Sequence, residues 1–485
     1  MNTITIAWIA FPFFVGFVIY LLPKLDRYLA LGVSIVSAGY AFGLFAQQSP
    51  LKLNLLDNFG VTLEADRLSG FFILTNALVT FAVILYCWQT GKSPFFYAQT
   101  IILHGSVNAA FVCSDFVSLY VALEVSGIAA FLLISYPRTD RSIWVGLRYL
   151  FISNVAMLFY LIGAVLVYQA HHSFAFAGLR GAPPEALALI FLGLLVKGGV
   201  FVSGLWLPLT HSESETPVSA LLSGVVVKSG IFPLVRCALV LDEIDPIVRI
   251  FGVATALLGV GYAVFEKDTK RMLAFHTVSQ LGFILAAPEV GGFYALTHGL
   301  VKSALFLIAG VLPSRNLKEL QHTPIDNPVW IALVMASFSI SGFPLLSGFG
   351  AKVLTMKNLV PWQVIAMNIA ALGTAISFAK FIFLPHQRQE EKEERPKLRA
   401  GFWAAVMVLI GGLIVANVVY YDAYTIANII KPIATIGLGW LAYFWIFKGS
   451  TVKLPRVVEQ FDHQIGFMSL ILIVLFWMGF AWLGI

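Results

Sequence analysis

Apolar residues run in long blocks along this chain, separated by short polar turns. The blocks cover residues 5–22, 28–46, 69–90, 97–113, 115–135, 143–169, 185–206, 216–240, 247–265, 269–287, 291–313, 328–356, 361–383, 401–420, 424–447 and 464–484, sixteen spans in all. A helix needs about 20 residues to cross a hydrocarbon core of about 30 Å. Strands of a membrane barrel are about half as long and alternate in polarity, whereas these blocks are continuous and rich in Gly, Ala and Phe. The pattern predicts an all-α polytopic membrane protein with about 14–16 transmembrane helices. The first block, ITIAWIAFPFFVGFVIYLL, has no basic lead and no small-residue cleavage site, so a retained helix is expected there and not a signal peptide.

The polar turns are unequal. Eighteen lysines and arginines fall in alternate turns or at their rims, among them Lys24, Lys92, Arg141, Arg271, Arg315 and Arg456. The other turns hold five: Lys52, Arg67, Arg180, Arg249 and Lys357. By the positive-inside bias the richer set is cytoplasmic, which puts both termini outside. The charged run 386–399 reads as a solvated cytoplasmic loop. Residues 454–464 read as a segment along the inner surface, with Val457, Val458 and Phe461 turned to lipid.

Composition agrees with the pattern: 59% of the 485 residues are hydrophobic and 12% charged, against about 25% charged in soluble domains. The net charge of +6 is a topology signal, and nothing points to nucleic acid. Cys87, Cys113 and Cys237 lie in or beside apolar blocks without ligand spacing, so neither a disulfide framework nor a zinc site is expected. No nucleotide, flavin, iron–sulfur or metal motif is visible, and no cofactor is expected.

The charged residues inside the spans change the picture most. Eight are basic, Arg148, Lys197, Lys228, Arg236, Lys302, Lys352, Lys380 and Lys431, and one well-buried acid, Glu124, accompanies them. An ionisable group at mid-helix costs about 2.5 kcal/mol or more to insert, so such residues mark functional paths by default. Arg148, Arg236 and Lys431 lie nearer helix ends, where snorkelling or a static ion pair suffices. Lysine suits proton gating better than arginine, which keeps its charge. Two spans are broken at membrane depth. One breaks at Pro208 and the polar run through Pro217; the other breaks around Gly342, Pro344, Gly348 and Gly350, just before Lys352. Backbone groups freed in this way are tolerated only where protein or water satisfies them, and a pair of broken helices points to inverted repeats around an ion path. Between the breaks, Tyr294, His298 and Lys302 follow an i, i+4, i+8 spacing and share one helix face. His104 reads as a packing residue and His171 and His172 as outer-loop residues.

These strings carry a resemblance. WLPLTHSESETPVSALLSGVVVKSGIFPLVR, FEKDTKRMLAFHTVSQLGF, THGLVKSALFLIAG and GFPLLSGFGAK, in that order, resemble the motifs of the antiporter-like membrane subunit family. That family comprises the large membrane-arm subunits of complex I and the A and D subunits of Mrp-type Na⁺/H⁺ antiporters. By position the resemblance implies that the family's fifth-helix glutamate is Glu124 and that its axial lysines are Lys197 and Lys228. It likewise implies the eleventh-helix pair His298 and Lys302 and the twelfth-helix residue Lys352, with His211, Tyr294 and Lys380 as secondary candidates. In the implied scheme Glu124 pairs with Lys197 and sets its charge, and a proton passes through Lys228 and His298/Lys302 to Lys352. The implied division is 1–96 as N-terminal helices, 97–240 and 241–385 as two inverted five-helix half-channel bundles, and 386–485 as the charged loop and C-terminal helices.

Departures from the motifs bear on the branch. Leu209 stands where complex I often has aspartate, Glu213 and Glu215 replace an uncharged stretch, and His211 matches complex I. Lys352 is not the acid of one complex I subunit, Asn154 and Met157 replace the Arg/Asp pair of another, and Tyr294 replaces a histidine. The resemblance implies a subunit of Mrp-type Na⁺/H⁺ antiport, with a proton-pumping subunit of a complex I-type NAD(P)H or ferredoxin:quinone oxidoreductase as the alternative. A structural subunit or a component of an ion-coupled bicarbonate carrier are the readings from other classes. The expected partners are other membrane subunits, protons, Na⁺ and lipid, in a bacterial, thylakoid or organelle inner membrane.

Overall fold

The computed structural model describes residues 2–56, 60–387 and 399–482. Helices α1 (Asn2–Leu21), α2 (Asp26–Ala46) and α3 (Arg67–Cys87) come first, with an antiparallel ribbon of β1 (Leu51–Asn54) and β2 (Thr62–Ala65) between the second and third. Next are α4 (Pro94–Ala110), α5 (Phe116–Ile134), α6 (Asp140–His171), the interrupted pair α7 (Pro184–Gly198) and α8 (Leu207–Glu213), and the pair α9 (Thr216–Leu221) and α10 (Lys228–Val240). Then come α11 (Asp245–Phe265), α12 (Thr269–Ala286), α13 (Gly291–Ala309), the single turn α14 (Leu317–Leu320), the interrupted pair α15 (Asn327–Ser341) and α16 (Ser347–Lys357), and α17 (Gln363–Ile382). Helices α18 (Ala400–Val419), α19 (Ile426–Ala442) and α20 (Phe461–Trp482) close the chain; α18 packs on α3 and α13, α19 on α17, and α20 on α7.

Every apolar block of the sequence therefore corresponds to a helix or an interrupted pair. Among the described residues, twelve helices are long and apolar enough to cross a membrane alone, and the α7/α8 pair, bent by 41°, makes a thirteenth. The other three blocks, α4, α12 and α15/α16, fall short through polar content or interruption. They are held by protein instead of lipid: every residue of α12 is buried. From α4 to α10 and from α11 to α17 the chain makes five consecutive spans with the fourth broken. Five is odd, so the second set runs upside down relative to the first.

Both breaks have the same chemistry, and the first lies at Gly199, ahead of the expected Pro208, which sits in the first turn of α8 where a missing N–H costs nothing. Gly199 and Gly342 take left-handed backbone, φ +67° and +84°, which favours glycine. At the first, the N–H of Gly199 bonds the Val196 carbonyl (3.1 Å) and that of Val200 bonds the Leu195 carbonyl (2.9 Å). At the second, Gly342 bonds Ser339 (3.0 Å) and Phe343 bonds Phe338 (2.9 Å). Each is the two-bond glycine cap that ends a helix sharply. In the second set Gly348 lies so close to Ser339 that an added Cβ would stand 1.8 Å from its carbonyl oxygen.

Ion pairs sort onto two faces, as the alternation of basic turns requires. On one face Lys92 meets Glu215 (2.7 Å), Arg141 meets Glu213 (3.2 Å), Arg315 meets Asp268 (3.0 Å) and Arg271 meets Glu459 (2.5 Å). On the other, Arg236 meets Asp66 (2.5 Å) and Arg249 meets Asp245 (2.6 Å) and Glu289. Glu213 and Glu215, departures from the family motif, are thus anchors between turns. The segment at 454–464 departs in part from the expected placement along the inner surface. Val457 is exposed, but Glu459 is buried against Arg271 and Phe461 packs on Phe151, ring centres 5.1 Å apart, because a paired carboxylate and an aromatic contact hold it to the bundle. The cytoplasmic loop expected at 386–399 lies outside the described residues over 388–398. Lys431 is exposed on α19, and His104 is fully bonded to Thr80, Ser37 and Asn108 at 3.1, 2.8 and 3.0 Å, a packing role.

Burial alone would raise the Asp66 carboxyl, but the hydrogen bond and charge of Arg236, helped by Ser69, outweigh it and hold the carboxyl below its ordinary range. A depressed carboxyl stabilises the fold fully above the usual carboxylate range and stops doing so as pH falls through its lowered value. Asp66→Asn leaves the Arg236 guanidinium only Ser69 at 3.1 Å and Glu64 at 3.8 Å, and should lower stability by about 2 kcal/mol at neutral pH. Thermal unfolding in detergent should show a gap between variant and parent that closes on strong acidification; an equal gap at all pH values contradicts this.

Candidate functional site

Helix α5 carries Glu124 at mid-length, half-buried, with Oε1 enclosed and without a hydrogen-bond partner. Lys197 sits in the last turn of α7, where the carbonyl end of a helix favours a cation. Its ammonium donates to Ser153 Oγ on α6 at 2.7 Å. Glu124 lies within electrostatic reach of Lys197 but not in contact with it. One turn beyond Glu124, Gly127 leaves room for the ammonium: a Cβ there would stand 2.8 Å from Nζ.

From Lys197 the path continues at a backbone contact. Gly198 and Gly230 pack so closely that a Cβ on Gly230 would lie 2.3 Å from the Gly198 nitrogen, which brings α7 against α10 next to Lys228. Lys228 is wholly buried and follows a π-helical turn, Leu222–Val226. Such a turn frees carbonyls from the α-helical ladder, and Lys228 donates to the Ser223 carbonyl at 3.2 Å. The Ser223 hydroxyl shares a hydrogen bond with Thr277 of α12 (2.7 Å), and Thr277 donates to the Leu273 carbonyl (3.1 Å). Lys302 of α13, also wholly buried, donates to that same Leu273 carbonyl. Ser223 and Thr277 therefore tie the two lysine sites together. His298 lies within electrostatic reach of both Lys228 and Lys302, and its ring has no protein hydrogen-bond partner; His211 on α8 is within the same reach, beside the Leu207 backbone.

Beyond Lys302 stands His276 of α12, also enclosed and unpartnered, with its ring 4.7 Å from Phe378. It is within electrostatic reach of His298, Lys302, Lys352 and Lys380. Lys352 follows the second break, its ammonium 5.4 Å from the centre of the Phe283 ring, and its stem lies over Gly342, where a Cβ would meet Cδ at 2.8 Å. Enclosed hydroxyls of Ser337, Ser339, Ser341 and Ser347 surround this break without hydrogen-bond partners. Tyr294 donates to Gln280 Oε1 at 2.6 Å, which joins α13 to α12. Lys380 is held at the end of α11 by the carbonyls of Ala263 (3.1 Å), Val264 (2.6 Å) and Glu266 (2.9 Å). It also lines a surface cavity of about 270 Å³ beside Glu266 and Lys448, on the more basic face.

Known proteins share this fold. Residues 113–377 match the family described as NADH:quinone oxidoreductase/Mrp antiporter, TM. The chain belongs to this family. It is 28% identical over 449 residues to the D-type subunit of the Na(+)/H(+) antiporter of Alkalihalophilus pseudofirmus, covering 83% of this chain and 90% of that protein. It is 29% identical to the N-type subunit of the NADH-quinone oxidoreductase of Desulforudis audaxviator, covering 77% and 84%. Among solved structures, a chain of the archaeal membrane-bound sulfane sulfur reductase aligns with TM-score 0.77 at 20% identity, covering 91% of this chain and 99% of that one. A chain of the Mrp complex from a Dietzia species aligns with TM-score 0.73 at 19%, covering 95% and 99%.

Against the family's motifs, the residues that sequence reasoning missed are Ser153, Ser223, Thr277 and His276. The serines and the threonine give no sign in an apolar span, since their role depends on which helix lies opposite. His276 did give one: it stands where the family segment has serine, and a histidine in a span devoid of surface positions is an ionisable outlier. Among the described residues, no group of three or more His, Cys, Asp and Glu side chains is placed to hold a metal ion.

If Ser223 and Thr277 form one link, their effects on stability should not add. Ser223→Ala and Thr277→Val, singly and together, should show a coupling free energy of about 1 kcal/mol in a thermal or denaturant cycle. Strict additivity would refute the link.

Proposed function

We propose that this chain is the proton-translocating, antiporter-like subunit of a multi-subunit membrane complex that exchanges a monovalent cation, Na⁺, for H⁺ in the Mrp manner. One observation supports this above the rest. Lys197, Lys228, His298, Lys302, His276 and Lys352 form a succession of enclosed titratable groups joining the two broken helices, and none touches a carboxylate. Fixed ion pairs would lock such groups in one charge state. Hydroxyl and carbonyl partners do not.

In this reading residues 97–240 and 241–385 each supply a half-channel. The face rich in Lys92, Arg141, Arg271 and Arg315 is cytoplasmic by the positive-inside bias, which leaves the N-terminus outside. Glu124 near Lys197 favours the protonated lysine; neutralising or withdrawing that carboxylate lets Lys197 give its proton up. The proton moves towards Lys228, His298 and Lys302, and His276 carries it on to Lys352. Lys380, at the basic-face cavity, offers a branch to that surface. The unpartnered histidine nitrogens and serine hydroxyls along the line are groups that water can bridge. Other membrane subunits complete the assembly, as they do in the complexes that hold its relatives.

The second reading, a proton-pumping subunit of a complex I-type assembly, is supported by the similarity to quinone oxidoreductase subunits, among them chain 4-2 of the NAD(P)H-quinone oxidoreductase of a Synechocystis species at 26% identity over 94% of this chain. The same line of groups serves either driving force.

Everted vesicles carrying the assembled complex test both. Lys197→Ala and Lys302→Ala should each cut proton flux by about a hundredfold, the range of a positioned proton carrier, while exposed Lys431→Ala leaves it intact. Antiport driven by an imposed Na⁺ gradient supports the first reading, and flux that responds only to an electron donor supports the second. Full flux in Lys197→Ala and Lys302→Ala within an assembled complex would sink both.

A further inference from the structure

Two cavities meet where α6 leaves the basic face. The first, of about 600 Å³, is polar: five arginines, Arg141, Arg148, Arg271, Arg315 and Arg456, line it against three carboxylates, Glu213, Asp268 and Glu459. The second, of about 670 Å³, is apolar and runs along α6 past Leu147, Phe151, Val155 and Leu158. Trp144, Arg148 and Phe461 line both.

Four of these arginines are already satisfied. Arg271 bonds Glu266 (3.2 Å) and Glu459 (2.5 Å), Arg315 bonds Asp268 (3.0 Å), Arg141 bonds Glu213 (3.2 Å), and Arg456 reaches Glu266 (3.4 Å). Arg148 is not. Its Nε and Nη2 are enclosed with no hydrogen-bond partner, and Glu459 is within electrostatic reach but not in contact. With Nε and Nη2 enclosed and the guanidinium resting over the Trp144 ring at 5.7 Å, the outer nitrogen, Nη1, is the one that can meet an anion at the seam between the polar and the apolar cavity.

The apolar cavity says what that anion is attached to. Leu147, Phe151 and Leu158 are each at least half exposed on the outer face of α6, at 51%, 51% and 56%. From Leu147 to Leu158 the helix rises about 16 Å, close to the roughly 15 Å of one leaflet's hydrocarbon. Arg148 is at the headgroup end of that run. We propose that this seam between α6 and the start of α20 binds one anionic phospholipid, its phosphate on Arg148 and an acyl chain along Leu147, Phe151 and Leu158. Phe461, packed at a tilt on Phe151, closes the groove, so the lipid joins α20 to the first set of five spans.

Native mass spectrometry of the intact chain, with phosphatidylglycerol or phosphatidylcholine added in detergent, tests this. One phosphatidylglycerol should persist per chain and phosphatidylcholine should be lost more readily. Arg148→Gln should weaken the phosphatidylglycerol adduct about tenfold, Arg148→Lys less, and Lys431→Gln not at all. Equal thermal unfolding of Arg148→Gln and parent in phosphatidylcholine shows that the fold is intact. Equal retention of the two lipids, displacement by millimolar inorganic phosphate, an unchanged adduct in Arg148→Gln, or cross-linking of Trp144 and Phe151 positions to a partner subunit in the assembled complex would overturn the proposal.

Discussion

An ammonium inside a lipid-solvated bundle is costly unless a lone pair faces it, and an intact α-helix offers only the second lone pair of carbonyls already bonded to its own N–H groups. Most of the buried lysines here are placed where that rule is relaxed. Lys228 takes a carbonyl from a π-helical turn, Lys380 takes three at the end of α11, and Lys197 borrows the hydroxyl of Ser153 beside the first glycine cap. Lys302 is the exception in form, reaching an in-helix carbonyl of α12 that already accepts Thr277. The first glycine cap, at Gly199, thus stands beside Lys197, whereas Lys352, beside the second cap at Gly342, has no hydrogen-bond partner for its ammonium.

Neutral acceptors also decide what the line of groups can do. Breaking a buried ion pair is expensive, since it leaves a charge without its partner. A lysine held by a hydroxyl or a carbonyl can change protonation with less rearrangement around it, because the acceptor carries no charge to strand. That the Lys197 contact is Ser153, with Glu124 acting from a distance, makes Glu124 a bias on the lysine and not a lock.

How much of this was legible in the sequence follows from what each feature depends on. Spans depend on local hydropathy, and all sixteen blocks became helices or interrupted pairs. The breaks depend on Gly and Pro: the second was legible around Gly342, but the first, expected at Pro208, falls at Gly199, because a glycine ends α7 and a proline in the first turn of α8 costs no helical hydrogen bond. Pairings depend on which helix lies opposite. Ser223 and Thr277 are separated by 54 residues, and neither differs in composition from the many serines and threonines that merely bond their own helix, as Thr75 and Thr100 do. His276 was legible as an outlier within a family motif, but its place between two lysine sites needed α12 set against α13, α16 and α17. The segment at 454–464 misled because its apolar residues suggested a surface helix, while the decisive residue was the acid among them, Glu459.

Arginine and lysine divide the molecule between them. Arginine keeps its proton and offers a rigid fork of donors, which suits a permanent tie. Arg236, Arg249, Arg271 and Arg315 all serve at the rims, where they fasten turns to one another through carboxylates. Lysine surrenders its proton when desolvated, and the lysines within the spans, Lys197, Lys228, Lys302 and Lys352, lie away from carboxylates, unlike rim Lys92, which pairs with Glu215. Arg148 breaks the division, as a rim arginine without a carboxylate tie, resting over the Trp144 ring beside the exposed apolar face of α6. If rim arginines are there to fasten things, the partner of Arg148 lies outside the chain, in the solvent that surrounds α6, and that solvent is the bilayer.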